Sequence, residues 1–173
     1  MDIVMDCLPM DFASLNQNLQ FQILELDAAA FGMEQAWGRH HFELALPGKT
    51  ELSFYTTDGS MIFGYAIAFR QVSQTGDWVH LSRLAARADF RQRGVGRKLL
   101  QQILAATEKA QLRMITAEVD ESQAAEAGFY LKLGFQKLTS EAELRSYLKA
   151  KGKEGRIQRY MFGQQQVFIK RIV

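Results

Sequence analysis

The chain has 173 residues, of which 47% are hydrophobic and 23% are charged, and its formal net charge is +2. That length favours a single domain with its own packed core, and the composition excludes wholesale disorder. A net charge so close to neutral argues against nucleic acid as the main partner. The single cysteine, Cys7, excludes an intrachain disulfide, and no apolar run reaches the ~20 residues that a membrane helix needs.

The first half of the chain predicts a strand, two helices and three strands joined by short turns. Between residues 11 and 31, apolar residues recur every three or four positions, which is the spacing of an amphipathic helix. Asp58-Gly59 separates two stretches rich in β-branched and aromatic residues, a strong signal for a hairpin. The predicted elements are a strand at 3–8, helices at 11–31 and 34–46, and strands at 51–57, 60–70 and 78–86.

The second half alternates between helices and strands. A strand, a helix and a strand in succession favour a right-handed crossover and a parallel strand pair. Ser140 followed by Glu143 is a capping-box pattern, which marks the start of a helix. The predicted elements are helices at about 95–111, 122–133 and 140–149 and strands at 113–119, 135–138, 156–162 and 166–172. This order predicts an α+β fold with a mixed, twisted sheet.

One stretch, F-R-Q-R-G-V-G-R-K-L-L at residues 90–100, places glycines and arginines where an amphipathic helix begins. Two glycines inside a helix cost about 1 kcal/mol each, so a plain helix start with a solvated basic face is the weaker alternative. Free N–H groups at a helix start attract phosphates, and glycines let the backbone approach an anion. The spacing fits neither a P-loop, because Arg97 follows Gly96, nor a dinucleotide fingerprint, because residue 99 is leucine. The stretch therefore predicts a diphosphate site of another kind.

The remaining pattern, R-x-x-G-x-G after a strand that ends in L-A-A, resembles motif A of the GNAT superfamily of N-acetyltransferases, although Ala86 replaces the usual valine. The stretch Q-A-A-E-A-G-F-Y-L-K-L-G-F at residues 123–135 resembles the family's motif B. The resemblance implies a GNAT fold, with a twisted mixed sheet of about six to eight strands, a splayed central strand pair and about four or five flanking helices. It implies a single domain over residues 1–173, with an atypical helical and basic insertion at about residues 139–165.

The resemblance also implies acetyl-CoA as cosubstrate, bound in a V-shaped cleft between the fourth and fifth strands. Backbone groups at the end of the fourth strand are expected beside the pantetheine arm, and those of the next loop around the pyrophosphate. The strand residues are Leu84, Ala85 and Ala86, and the loop residues are Arg91, Gln92, Arg93, Gly94, Val95, Gly96 and Arg97. Gln123 stands where motif B usually has asparagine, and its amide is a further candidate for cofactor binding.

Two catalytic roles follow from the same resemblance. Tyr130 occupies the motif-B tyrosine position, and a phenol with a reference pKa near ~10 suits protonation of the departing CoA thiolate; the alternative is a core tyrosine. Glu118 lies where members that acetylate protein N-termini have a base acting through water, and the alternative is a solvent-facing strand glutamate. His80 and Glu121 are rival bases. The ordinary pKa of histidine suits that role, although a strand histidine beside the sheet is the other reading of His80.

The segment at residues 149–159 departs from the family, because it carries five basic residues and one acid, Glu154. The basic residues are Lys149, Lys151, Lys153, Arg156 and Arg159. Two readings stay open: a solvated basic face, or a lid or patch for an acidic acceptor or a CoA phosphate. By the same resemblance Phe31, Trp37 and Phe42 are candidates for acceptor contacts.

Together these features predict an acetyl-CoA-dependent N-acetyltransferase that acetylates a primary amine by direct attack in a ternary complex. A non-catalytic acyl-CoA-binding regulatory module is the alternative. The acceptor is a small molecule or a peptide, and no metal is expected, because His40-His41 lacks a third ligand at useful spacing. We expect a cytoplasmic protein with no nucleic-acid or membrane partner. Homodimers are common in the family, and residues 156–172 offer a sheet edge for such pairing.

Overall fold

The computed structural model describes residues 4–173, so residue 3, where the first predicted strand begins, lies outside the described part. The described strands form one mixed sheet: β1 (Asp6–Pro9), β2 (Phe54–Thr57), β3 (Ile62–Gln71), β4 (Trp78–Ala86), β5 (Met114–Asp120), β6 (Gln136–Lys137) and β7 (Gln165–Arg171). The helices are α1 (Gln17–Phe31), α2 (Arg39–Glu43), α3 (Lys49–Leu52), α4 (Val95–Lys109), α5 (Ala124–Lys132), α6 (Glu141–Ala150) and α7 (Ile157–Met161). Within residues 4–173, no helix has the length and apolar character needed to cross a membrane.

The strands follow the order β1-β2-β3-β4-β5-β7-β6 in the sheet. β4 and β5 are parallel and are connected through α4, which is the crossover that the sequence predicted. The pairs β1–β2, β2–β3, β5–β7 and β6–β7 are antiparallel. The β4–β5 ladder comprises three residue pairs, Val79–Ile115 to Leu81–Ala117, although the strands have nine and seven residues. The mixed sheet and its short central ladder confirm the predicted fold class.

Contacts divide the chain into two compact units, and the first contains residues up to 69 together with residues 82–106. A short 3-10 turn (Phe12–Ser14) precedes α1, so this helix begins later than predicted. Its first turn is capped by Asn16, whose side-chain oxygen accepts a hydrogen bond from the N–H of Leu19 at 2.9 Å. The apolar stripe of α1 packs against β2 and β3 through Leu19, Ile23, Leu26, Tyr55, Ile62 and Tyr65.

The second unit contains residues 70–81 and 107–173. As the capping pattern predicted, α6 begins after Ser140, whose hydroxyl accepts a hydrogen bond from the N–H of Glu143 at 3.4 Å. The apolar faces of α6 and α7 pack with strand residues into one cluster, which includes Leu144, Leu148, Ile157, Trp78, Val167 and Ile169. The segment between β6 and β7 therefore builds much of the core of this unit.

The structure corrects three of the predicted elements: the helix at 34–46, the start of the strand at 51–57 and the strand at 156–162. The helix predicted at 34–46 is limited to α2, and a second short helix, α3, follows Gly48, so β2 begins at Phe54 instead of residue 51. The strand predicted at 156–162 is wrong, because this segment forms α7. Its buried residues, Ile157 and Tyr160, are three positions apart, which is a helical spacing. With these short elements, residues 4–173 contain seven α-helices instead of four or five.

The expected sheet edge at residues 156–172 is partly covered. β7 pairs with β5 along its whole length, whereas β6 pairs only with Phe168 and Ile169 on the other side. The homodimer and its pairing edge stay predictions. The strands at the two ends of the order are β1 and β6. Pro9 in β1 suits such a position, because proline cannot donate a ladder hydrogen bond.

Candidate active site

The loop that carries the predicted phosphate-binding residues belongs to the first unit. β4 ends at Ala86, a 3-10 turn spans Ala88–Phe90, and α4 begins at Val95. The N–H of Arg87 donates a hydrogen bond to the carbonyl of Phe63 at 2.9 Å, which attaches the start of the loop to β3. The loop therefore leads directly from the end of a strand to the start of a long helix.

Two positions in this loop have a left-handed backbone, with φ values of 63° at Gln92 and 82° at Gly94. A Cβ atom at Gly94 would meet no atom within 4 Å, so the conformation, and not packing, requires glycine here. The N–H of Lys98 donates to the carbonyl of Gly94 at 2.9 Å in the first turn of α4. The preceding N–H groups of a helix have no partner within the helix, and the open space at Gly94 leaves room for an anion beside them.

The side chains of the loop divide into an exposed and a buried set. Arg91, Gln92, Arg93 and Arg97 are exposed, and they remain candidates for phosphate contacts. Val95 is only 1% exposed, so its side chain belongs to the core and only its backbone can serve a ligand. Gly96 lies within the first turn of α4 and is half-buried. A role for its missing Cβ stays a prediction.

Sequence reasoning missed Gly64 of β3, which supports the same loop. A Cβ atom on Gly64 would lie 2.5 Å from Cγ1 of Val95 and 2.7 Å from the carbonyl oxygen of Ala85. The start of α4 and the end of β4 therefore pack on the bare backbone of β3. Glycine inside a strand is a recognised signal for such a close approach, although the sequence does not say what approaches.

The three residues expected beside the pantetheine arm lie at the end of β4. Ala85 is 5% exposed and belongs to the core of the first unit, whereas Leu84 and Ala86 are half-buried. A backbone role does not require exposed side chains, so the assignment of all three residues stays a prediction.

Two of the three aromatic candidates for acceptor contacts, Phe31 and Trp37, lie beside Arg83. Its guanidinium carbon lies 4.0 Å from the ring centre of Phe31 and 4.8 Å from that of Trp37. Arg83 also lies 3.8 Å from the fully buried carboxylate of Asp27. Phe42 is only 2% exposed and is part of the core, so an acceptor contact by this side chain is wrong. Phe31 and Trp37 are half-buried and stay candidates.

Glu118 of β5 is the centre of a buried polar cluster in the second unit. Its Oε1 accepts hydrogen bonds from Oη of Tyr147 at 2.7 Å and from Nζ of Lys151 at 2.9 Å, and its Oε2 accepts one from Oη of Tyr160 at 3.0 Å. The exposed fractions of the Lys151 and Glu118 side chains are 6% and 17%. The alternative of a solvent-facing Glu118 is therefore wrong.

The cluster extends from Glu118 to β4 through Lys151. Nζ of Lys151 lies 3.1 Å from Nε2 of His80, and Nδ1 of His80 lies 3.1 Å from Oγ1 of Thr116. Thr116 also accepts a hydrogen bond from Nε1 of Trp78 at 3.0 Å. An ammonium group can only donate, so Nε2 of His80 accepts and its ring proton is on Nδ1.

The pKa values of the two candidate bases follow from this arrangement. Burial raises the pKa of the Glu118 carboxyl, but the charge of Lys151 and the hydrogen bonds from Lys151 and Tyr147 outweigh it and lower that pKa to about 2. Burial, followed by the charge of Lys151, lowers the pKa of His80 to about 3, although Glu118 acts in the opposite direction. At neutral pH the carboxyl is ionised and the imidazole is neutral. The expectation of an ordinary histidine pKa at residue 80 is wrong.

Tyr130 belongs to an aromatic cluster in the second unit and is 5% exposed. Its ring meets those of Phe129 and Phe135 edge-on and stacks on Phe168, with centroids 5.2–5.9 Å apart. Burial raises the pKa of this phenol, followed by the charge of Glu126. The hydroxyl is therefore in its proton-donating form at neutral pH, which suits an acid and also suits a core tyrosine.

Two other candidates lie at the start of α5. Gln123 is the residue before the helix, and its side chain makes no capping hydrogen bond there. It is half-buried, and its contact with the cofactor stays a prediction. Glu121 is exposed in the 3-10 turn Glu121–Gln123, so of the rival bases only His80 belongs to the cluster around Glu118.

Three members of that cluster, Tyr147, Lys151 and Tyr160, were missed. The sequence predicts Lys151 as part of a solvated or ligand-binding basic tract. In the structure it forms an ion pair with Glu118, whereas Lys149, Arg156 and Arg159 are exposed. The available signal was the four-residue spacing of Tyr147 and Lys151, which puts two polar-tipped side chains on one face of a helix. Nothing in the sequence says that this face covers Glu118.

Known proteins resemble both the sequence and the fold. The model of the acetyltransferase (GNAT) family matches residues 21–135. A chain in the structure of the NatC complex bound to Gag peptide and CoA is 14% identical with a TM-score of 0.71, and the match covers 98% of this chain and 99% of that one. For the ribosomal-protein-S18-alanine N-acetyltransferase from Escherichia coli, the identity is 18%, the TM-score 0.62 and the coverage 98% and 93%. For Arabidopsis thaliana Naa50 in complex with the bisubstrate analogue CoA-Ac-MVNAL, these values are 15%, 0.64, and 96% and 97%. No curated protein matches the sequence significantly.

Proposed function

Because this chain belongs to the acetyltransferase (GNAT) family, we propose that it transfers the acetyl group of acetyl-CoA to a primary amine, by direct attack in a ternary complex. The observation that carries the amine assignment is the cluster around Glu118. There a buried, ionised carboxylate already binds an ammonium group, that of Lys151. Such a site suits an acceptor that arrives as a cation and must lose a proton before it attacks.

The loop before α4 supports the use of acetyl-CoA, which supplies an activated acyl group as a thioester. Its left-handed backbone at Gly94 and the open space beside it suit a diphosphate. So do the N–H groups of the first helical turn, which have no partner within the helix. The exposed side chains of Arg91, Arg93 and Arg97 can add charge-assisted hydrogen bonds. Each of these features belongs to this chain and does not depend on the family match.

Two side chains carry the proposed proton transfers. Glu118 takes the proton of the amine. Because both carboxylate oxygens accept hydrogen bonds from protein groups, this transfer passes through water unless one of these partners leaves. Tyr130 donates its phenolic proton to the sulfur of the departing thiolate. Its burial favours the protonated form at neutral pH, which is the form an acid needs.

The acceptor is proposed as a primary amine, and peptide N-termini are the first group to test. One structurally similar protein is named for the alanine of ribosomal protein S18, and two similar structures contain a peptide or a peptide-bearing analogue. Lysine side chains and small amines are further acceptors of the same chemical type.

The test is a panel of peptides and small amines scored by release of free CoA thiol. We expect at least one primary amine to give turnover, and binding of acetyl-CoA without release for any amine would instead support a regulatory module. Tyr130→Phe keeps the ring packing and removes only the hydroxyl, so kcat should fall roughly 100-fold with little change in KM. Tyr55→Phe, in a buried tyrosine of the first unit, is the matched control. An unchanged kcat in Tyr130→Phe would remove this residue from the acid role.

A further inference from the structure

Three polar atoms from three different elements converge on the ammonium group of Lys151. They are Oε1 of Glu118 in β5 at 2.9 Å, Nε2 of His80 in β4 at 3.1 Å and Oη of Tyr147 in α6 at 3.3 Å. A primary ammonium has three N–H donors and no acceptor, so three acceptors satisfy it completely. We call these three atoms the ammonium tripod.

Each member of the tripod is held in its accepting form by a further partner. Tyr147 directs its own proton to Glu118 at 2.7 Å, so the oxygen of Tyr147 is left to accept from Lys151. Nδ1 of His80 faces Oγ1 of Thr116 at 3.1 Å, which leaves Nε2 as the accepting atom. Oε2 of Glu118 is occupied by Tyr160 at 3.0 Å, so Oε1 is the oxygen that serves the cation. A simple ion pair needs none of these additional contacts.

The tripod also contains two of the candidate bases of the proposed reaction. Glu118 and His80 are two of the groups that the sequence offers as bases for an amine, and Nζ of Lys151 donates hydrogen bonds to both of them. Lys151 itself follows the last residue of α6, in the segment that interrupts the usual connection between β6 and β7. The chain therefore inserts a primary ammonium of its own between its two candidate bases.

We propose that the ammonium tripod is the site that recognises the acceptor, and that Lys151 is a resident occupant which leaves when an acceptor amine binds. The ligand class is a primary ammonium, the group that the lysine side chain now places in the site. This inference rests on the proposed function for its biological meaning, but the site itself can be tested without acetyl transfer.

The direct test is chemical replacement of the missing side chain. Lys151→Ala removes three methylenes and the ammonium, which are the atoms of n-propylammonium. We expect this variant to unfold at a lower temperature than the parent protein and to regain stability, with saturation at millimolar concentration, when n-propylammonium is added. Neutral n-propanol and tetramethylammonium, which lacks N–H donors, should not restore it. Lys149→Ala, which removes an exposed lysine two residues away, should show neither the loss nor the recovery.

Should Lys151→Ala fail to fold alone, refolding in n-propylammonium but not in n-propanol gives the same answer. The proposal is overturned if the amine gives no saturable stabilisation or refolding, or if it stabilises the parent protein and the variant equally. Because acetyl-CoA is absent from this assay, the outcome is independent of the proposed function. If Lys151→Ala binds the amine but the parent protein acetylates no amine, the acetyltransferase proposal is contradicted and the tripod proposal stands.

A kinetic measurement separates the occupant role from a merely structural one. Once an accepted amine is known, its KM should fall about tenfold in Lys151→Ala, because the acceptor no longer competes with a resident cation. The KM for acetyl-CoA should stay unchanged. A structural lysine gives the opposite result, since loosening the cluster raises the KM for the amine.

Discussion

The loop before α4 and the cluster around Glu118 differ in exposure and in whether their hydrogen-bonding groups already have partners. The loop consists of consecutive residues, is exposed, and offers backbone groups whose hydrogen-bonding capacity is not used within the helix. The cluster consists of side chains from β4, β5, α6 and α7, is buried, and satisfies its polar atoms internally. The loop is therefore ready to receive an anion, whereas the cluster has to exchange a partner before it can receive a cation.

The two regions also differ in what holds them in place. The conformation of the loop depends on two glycines. Gly94 has a left-handed backbone, and Gly64 leaves room for the residues that pack on β3. The cluster depends on charge, because each of its ionic groups would be costly to bury alone. Substitutions that add a methyl group should therefore disturb the loop, and substitutions that remove a charge should disturb the cluster.

The largest expected effect is the loss of one partner of the buried pair. Lys151→Met keeps much of the side-chain volume but leaves the Glu118 carboxylate without its cation, so the free energy of unfolding should fall by about 3–5 kcal/mol. The double variant Lys151→Met/Glu118→Gln removes both charges and should recover most of that loss. Urea unfolding of both proteins, with Lys149→Met as the exposed control, measures the difference. A single variant as stable as the parent would mean that the pair is not desolvated.

The next effect is a pH dependence of stability that originates in His80. Its pKa is about 3 in the folded protein and 6.5 in the reference state, so between these values the unfolded chain binds more protons and folding becomes weaker as the pH falls. Glu118, whose pKa changes from 4.5 to about 2, also loses stability on acidification, but only below pH 4.5.

The window between pH 6.5 and 4.5 therefore isolates the histidine. There His80→Gln should lessen the decline in the free energy of unfolding by about 1.4 kcal/mol per pH unit relative to the parent. Denaturant unfolding at four pH values across the window measures this slope. Parallel slopes for the two proteins would show that the imidazole titrates normally in the folded state.

A smaller effect concerns the packing beneath the loop. In Gly64→Ala the new methyl group would lie 2.5 Å from Cγ1 of Val95, and relief of this overlap should cost about 1–3 kcal/mol. In a Val95→Ala background the cost of Gly64→Ala should be smaller, because the background lacks the atom that clashes, and Val95→Ala alone is the reference for the loss of the buried valine. The contact with the carbonyl oxygen of Ala85 remains, so recovery should be incomplete. An equal cost of Gly64→Ala in both backgrounds would place the strain at that carbonyl alone.

The two regions explain what the sequence could predict. The loop is contiguous, so its glycine and arginine spacing, the strand before it and the helix after it were all readable from residues 78–111. The strand order, by contrast, brings β7 between β5 and β6, and no local pattern encodes that placement.

Only part of the cluster could be predicted, because its members come from segments that are far apart in the sequence. Glu118 and His80 could be selected as chemically suitable, but their pKa values depend on the folded structure. Burial and then the charge of Lys151 lower the pKa of His80, and Lys151 lowers that of Glu118 against the effect of burial. Lys151 is 33 residues from Glu118 and 71 residues from His80 along the chain. The segment predicted as a strand, residues 156–162, contains the helix α7, which presents Tyr160 to Glu118. A binding loop of consecutive residues can therefore be predicted from the sequence, whereas a side-chain cluster from distant segments becomes apparent only in the structure.

The smallest expected effect tests the loop directly. Alanine in the left-handed region costs about 1–2 kcal/mol, so Gly94→Ala and Gly59→Ala, whose φ values are 82° and 100°, should lose similar stability. Both positions have open space around a new Cβ, so neither variant introduces a clash.

Only Gly94→Ala should weaken the binding of acetyl-CoA, by roughly tenfold, since a change of about 1.4 kcal/mol in the free energy of the loop's bound conformation corresponds to that factor. Calorimetric titration of both variants measures it. Equal affinities would mean that the diphosphate does not depend on the backbone at Gly94, and the arginines would then have to carry its binding.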